Sequence, residues 1–139
     1  MNERFIIEGI PRGQGRPRAC IRGRHAGVYK AKQDEQNESN IRAQIVAQRQ
    51  GEPKLEYGAL KLSAIFYMPR PKMHYNSKGQ VKERYLTDEP TGKPDLDNLL
   101  KAVKDACNGV IWWDDSQVTS CHAVKCYAVD RPHTVIEVS

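Results

Sequence analysis

Residues 58–68 show a clear period of two, with Leu60, Leu62, Ala64, Phe66 and Met68 on one parity. This period of two predicts a strand with one buried face. Residues 4–10 alternate more loosely around Phe5 and Ile7 and run into Pro11, which predicts a first strand ending there. Over residues 97–107 the period becomes that of a helix. Leu96, Leu99, Leu100, Val103 and Cys107 form its apolar stripe, and Asn108-Gly109 closes it. The run from residue 32 to about 50 is also helix-compatible, polar on most faces, packing through Ile41 and Ile45 and stopped by Gly51 and Pro53. Residues 110–113 read as a short apolar link. Residues 117–129 and 134–138 read as strands separated by the turn Asp130-Arg131-Pro132-His133.

The order strand, helix, strand, loop, helix, strand, strand predicts one α+β domain over residues 1–139, with helices packed on a mixed sheet. Two stretches show no periodicity. The residues between Pro11 and Lys32 read as a glycine-rich basic loop. Residues 69–92 hold Pro69, Pro71, Gly79 and Pro90 among basic and aromatic side chains, and a loop of that length in a compact domain is usually functional or disordered.

Charge changes this picture more than composition does. The chain is 39% hydrophobic with a mean hydropathy of -0.70, and no stretch approaches the roughly 20 apolar residues of a membrane span. The first residues lack the apolar core of a secretory signal, so the expected location is cytoplasmic. Cys20, Cys107, Cys121 and Cys126 have neither a disulfide-scaffold spacing nor a CxxC pair and are expected reduced. A zinc site would need Cys121, His122, Cys126 and His133, but Cys121 and Cys126 are five apart in a predicted strand and face opposite sides. The net charge of +5 and pI of about 9.1 point to a polyanionic partner without separating DNA, RNA and an anionic surface. Between Gly9 and Gln33, Arg12, Arg16, Arg18, Arg22, Arg24, Lys30 and Lys32 occur with no acid among them, threaded through glycines. Glycine allows backbone close to phosphates, and arginine grips two phosphate oxygens at once. The tilt is toward nucleic acid.

Against this basic background stands Lys93-Pro94-Asp95-Leu96-Asp97-Asn98-Leu99-Leu100-Lys101, followed by Trp112-Trp113-Asp114-Asp115-Ser116-Gln117. Hydrolysing a phosphodiester needs an activated water and compensation of the charge that develops on phosphorus and on the leaving oxygen. A divalent cation held by hard carboxylate oxygens can supply all of these. Asp95, Asp97 and Asp115 are candidate metal ligands. Lys101, four residues beyond Asp97 on one helix face, is a candidate for holding the phosphate or assisting the leaving group. Taken singly, each has a plain structural reading: Asp95 or Asp97 as an N-cap, Lys101 as a surface ion-pair partner, Asp114-Asp115 as a polar turn. Asp105 reads as a structural partner of Lys101, and Trp112 and Trp113 as packing rather than base-stacking groups.

These two motifs, with Asp105-Ala106 and Asn108-Gly109 between them, resemble the signature of the RusA family of Holliday junction resolvases. A weaker N-terminal likeness runs through Pro11-Arg12-Gly13-Gln14-Gly15-Arg16-Pro17-Arg18 and Val28-Tyr29. The resemblance implies a RusA-like α+β domain and a homodimeric, Mg²⁺-dependent endonuclease in DNA recombination and repair, with Mn²⁺ able to replace Mg²⁺. It implies paired symmetric nicks in a four-way DNA junction and often a bacteriophage or prophage origin. By motif, Asp95, Asp97 and Asp115 are the metal-binding catalytic acids and Lys101 the catalytic lysine. Some relatives carry an arginine run before the first acid, where this chain has Thr91-Gly92-Lys93-Pro94. Lys93, Arg70 and Lys72 therefore join Arg12, Arg16, Arg18, Arg22 and Arg24 as candidate DNA contacts, with Lys82 and Arg84 as further substitutes. The rival readings are a non-catalytic branched-DNA-binding protein and a general metal-dependent nuclease.

Overall fold

A computed structural model of the chain describes residues 2–15, 18–22, 25–29, 31–51 and 54–139. Four strands, β1 (Glu3–Glu8), β4 (Leu60–Met68), β5 (Val118–Tyr127) and β6 (His133–Val138), form one mixed sheet in the order β1-β6-β4-β5. β6 pairs antiparallel with β1 and β4, and β4 pairs parallel with β5. Register aligns Phe5, Ile136, Ala64 and Ala123 in one row across the sheet. The parity of β4 is as predicted: Leu60, Leu62, Ala64, Phe66 and Met68 are buried against helices α1 (Lys32–Gln48) and α2 (Leu96–Cys107). Ile41 and Ile45 of α1 and Leu99 and Val103 of α2 complete this core.

The polarity of α1 has a structural cause. Gln48 accepts a hydrogen bond from Ile6 N at 3.0 Å and donates to Ile6 O at 2.7 Å, while Gln44 accepts from Glu8 N at 2.8 Å and donates to Glu8 O at 3.1 Å. Two side-chain amides spaced one helical turn apart thus act as a neighbouring strand for the outer edge of β1. An open edge is a site of unwanted pairing, and this one is covered.

One predicted loop is corrected, and another is found to be ordered. Within residues 9–33, β2 (Arg18–Arg22) and β3 (His25–Tyr29) pair as an antiparallel hairpin, consistent with the strand propensity of Ile21, Val28 and Tyr29. The segment 69–92 is built around His74, whose ring is buried and stacked on Tyr85 at 4.1 Å, with Tyr127 edge-on at 5.3 Å. Short 3-10 turns at Lys72–His74 and Glu83–Tyr85 and a bridge between Tyr75 and Val81 give it shape. Among the described residues no helix is long and apolar enough to cross a membrane.

Candidate active site

The first acid motif sits where the chain enters α2. Asp95 occupies the N-cap position, and its carbonyl accepts the first helical bond, from Leu99 N at 3.1 Å, but its carboxylate makes no capping hydrogen bond. Asp97 lies in the first turn. Both are exposed, and among the described residues neither carboxylate has a hydrogen-bond or ion-pair partner. The capping role that the sequence left open is therefore not what occupies Asp95. A helix N-terminus tolerates both charges. The approach to the helix is fixed from the sheet: Lys125 of β5 donates to Gly92 O at 2.8 Å and Pro94 O at 3.0 Å.

The loop after β1 closes over this end of α2. Gln14 N donates to Asn98 O at 3.0 Å, and Gly13 packs so tightly that a Cβ there would stand 2.8 Å from Pro94 Cβ and 3.2 Å from Asn98 Cβ. Residues 10–15 and 93–95, with Asn98, line an open cleft in which Arg12 and Lys93 accompany Asp95. Lys101 is half exposed one turn along the helix, its Nζ 3.5 Å from Asp105 Oδ2.

At the second motif, adjacent residues of the same type have separate duties. Trp112 is 0% exposed and donates from Nε1 to Asn108 Oδ1 at 2.7 Å, whereas Trp113 is 59% exposed, its ring centroid 6.1 Å from that of exposed Tyr57. Asp114 caps the 3-10 turn Asp115–Gln117 by accepting from Ser116 N at 3.2 Å, and Gln117 returns the cap by accepting from Asp114 N at 3.2 Å and Trp113 N at 2.8 Å. The bond to Ser116 holds the Asp114 carboxyl below the usual carboxylate range. Gln117 also donates to Glu56 O and Gly58 O, each at 3.0 Å, tying the turn to the strand-entry segment. Asp115 is half-buried and, among the described residues, its carboxylate makes no hydrogen bond or ion pair. The polar-turn reading thus describes Asp114.

The two motifs do not converge within one chain. Lys125, late in β5, holds the start of α2, whereas the Asp115–Gln117 turn precedes the start of β5. Asp95 and Asp97 therefore lie near the late end of β5, whereas Asp115 precedes its start. A shared Mg²⁺ would require oxygens about 2.1 Å from one centre. Among the described residues, no three His, Cys, Asp or Glu side chains form a group able to hold a metal ion. The same holds for the zinc alternative on Cys121, His122, Cys126 and His133, where burial raises both thiols above the ordinary range.

The candidate DNA contacts fall into three groups. Arg12, Lys72 and Lys93 are exposed, with Arg12 and Lys93 in the cleft beside Asp95. Arg70 is half-buried and already employed: it donates to Tyr85 O at 2.9 Å, contacts His74 Nδ1 at 3.2 Å and lies over the Tyr127 ring at 4.7 Å. Arg18 and Arg22 lie on β2, while Arg16 and Arg24 fall outside the described residues. Lys125 and Gln14 were not singled out from sequence. Lys125 gives no sign beyond its place in a strand, but Gln14 lies in the motif between Gly13 and Gly15, where the glycines mark a close backbone approach.

A mixed α+β domain with unengaged carboxylates at a helix N-terminus, bordered by exposed basic side chains, points to the nuclease class. The profile of the family described as Endodeoxyribonuclease RusA matches residues 8–139, and the chain belongs to that family. It is also similar to the "Uncharacterized protein YqaN" of Bacillus subtilis (strain 168), with 34% identity over 127 residues, covering 90% of this chain and 87% of that protein.

Proposed function

We propose that the protein is a Mg²⁺-dependent endonuclease that resolves four-way DNA junctions by paired nicks, acting as a homodimer in DNA recombination and repair. The observation that carries this reading is the state of Asp95 and Asp97: two exposed carboxylates at the start of α2 that cap nothing, with Asp95 in the cleft lined by Arg12 and Lys93. Unengaged acids in a chain of net charge +5 suit a cation facing a phosphodiester.

The separation of Asp115 from this pair suits a site shared between two copies. In a two-fold dimer, a residue i that meets j of the partner is matched by j meeting i. Asp95 and Asp97 of one copy would hold the cation with Asp115 of the other, twice per dimer. The cation, when bound, supplies an activated water and charge compensation at the phosphate. Lys101, on the helix face of Asp97, holds the scissile phosphate or the leaving oxygen. Arg12 and Lys93 anchor the strand across the cleft, and Lys72 reaches the backbone further out. The paired sites fit the two-fold symmetry of a four-way junction.

The test is a labelled immobile junction incubated with the protein, with and without Mg²⁺. Symmetric nicks that require Mg²⁺ are expected. Intact junctions that remain tightly bound would support the non-catalytic binding protein, and equal cutting of linear duplex or RNA would support the general nuclease.

A further inference from the structure

The loop after β1 makes one deep contact with α2 that neither the acids nor the exposed arginines require. Gln14 is 3% exposed, although Arg12 and Gly15 on either side reach solvent. Its Nε2 donates to Asp105 Oδ2 at 2.5 Å, and the same oxygen stands 3.5 Å from Lys101 Nζ. Its Oε1 is buried with no hydrogen-bond partner among the described residues. A buried unpaired acceptor costs stability, so the position of this amide is set by what Nε2 does.

Asp97, Lys101 and Asp105 follow one another at four-residue spacing along one face of α2. A half-exposed lysine beside a carboxylate at 3.5 Å is weakly held by that contact alone. A buried amide donating to that same carboxylate oxygen holds in place the partner on which the ammonium rests.

We propose that Gln14 is a positioning residue: by locking Asp105 it fixes the carboxylate on which the Lys101 ammonium rests, and so fixes where that ammonium stands on the α2 face it shares with Asp97. This rests on the reading in which Lys101 meets the scissile phosphate. Gln14 does not touch DNA in this role. Its effect passes through Asp105 and Lys101, which separates it from a residue that only anchors the loop.

The experiment is a double-mutant cycle on single-turnover junction cutting, using Gln14→Ala and the volume-conserving Gln14→Met, each with and without Lys101→Ala. Thermal unfolding confirms that each variant is folded. Either Gln14 variant should lower the cutting rate about tenfold with junction Kd unchanged, and should lower it no further once Lys101 is alanine. In protein carrying ¹³C-labelled lysine, the Lys101 ε-methylene signal should move to the position of freely solvated lysines in Gln14→Met. Additive losses in the cycle, a rate loss matched by weaker binding, or an unmoved Lys101 signal would each overturn the positioning role. If Lys101→Ala instead cuts like wild type, the assignment of Lys101 to the chemistry fails, and the inference with it.

Discussion

The side-chain amide of Gln48 exchanges two hydrogen bonds with the backbone of Ile6, donating at 2.7 Å and accepting at 3.0 Å, as a paired strand would. Gln44 repeats the arrangement one turn earlier at Glu8. A net contribution of about 1 kcal/mol per exchanged pair is expected. Gln44→Ala combined with Gln48→Ala should lower the unfolding free energy in urea by about 2 kcal/mol. It should also reopen the β1 edge, so that the variant self-associates at concentrations where the wild type does not. A double variant of unchanged stability and unchanged sedimentation would show that the amides are incidental to the edge.

The adjacent acids Asp114 and Asp115 should respond oppositely to substitution. Asp114→Ala removes the cap of the 3-10 turn and should lower the melting temperature. Asp115→Asn should leave the melting temperature almost unchanged. It should reduce cutting by more than the roughly 10- to 100-fold that changing even an outer-shell partner of a metal site costs. Junction binding by Asp115→Asn should be retained or tightened, because a negative charge near phosphate has been removed. The pH dependence follows the same division. Hydrogen bonding from Ser116 lowers the Asp114 pKa in the folded state from its ordinary 3.8. The unfolded state therefore binds more protons in that range, and the stabilisation is fully present above pH 3.8 and lost as the pH falls through the lower folded value. Acid unfolding of Asp114→Asn should lack this component, which a comparison of melting temperatures between pH 5 and the acid limb would show.

Much of the fold was legible because its apolar periodicities are strong. The parity of Leu60 to Met68 and the stripe through Leu99 and Val103 each reflect a single buried face, and both survive folding unchanged. The basic hairpin was less visible, because arginines and glycines weaken the alternation on which strand reading depends. The segment around His74 was hidden for another reason: its order comes from a ring stack that joins Tyr85 to Tyr127, far apart in the chain. The site divides the same way. Its residue types and local settings could be read from spacing, but the placing of Asp95 and Asp97 near the late end of β5 and of Asp115 before its start could not, since closeness in sequence does not fix closeness in the fold. That Arg70 is spent inside the fold, and that Asp114 rather than Asp95 is the cap, also depended on contacts with no periodic sign.

Gly13 should tolerate no side chain. A Cβ 2.8 Å from Pro94 Cβ and 3.2 Å from Asn98 Cβ is inside contact distance, so Gly13→Ala must push the loop away from α2. The cost expected of such overpacking is about 1–3 kcal/mol, read as a lower urea midpoint at unchanged m-value. Cutting should fall as well, because the displaced loop carries both Arg12 and Gln14. An alanine variant with wild-type stability would mean that the loop does not seat on Pro94 and Asn98 in solution.

Mixing two inactive variants tests whether the candidate site is shared between copies. Asp97→Asn and Asp115→Asn proteins are each expected to be inactive, as every site in either homodimer lacks one acid. After the two are mixed and allowed to exchange subunits, a site built across the interface takes Asp97 from one chain and Asp115 from the other. One of the two sites in the mixed dimer then carries both substitutions, and the other carries neither. The mixture should therefore recover cutting, and the product should be a junction nicked on one strand rather than a symmetrically resolved pair of duplexes. If each site were built within a single chain, no combination would restore an intact one, and the mixture would stay as inactive as its components. Recovery of single nicks supports the shared site, whereas persistent inactivity after demonstrated subunit exchange overturns it.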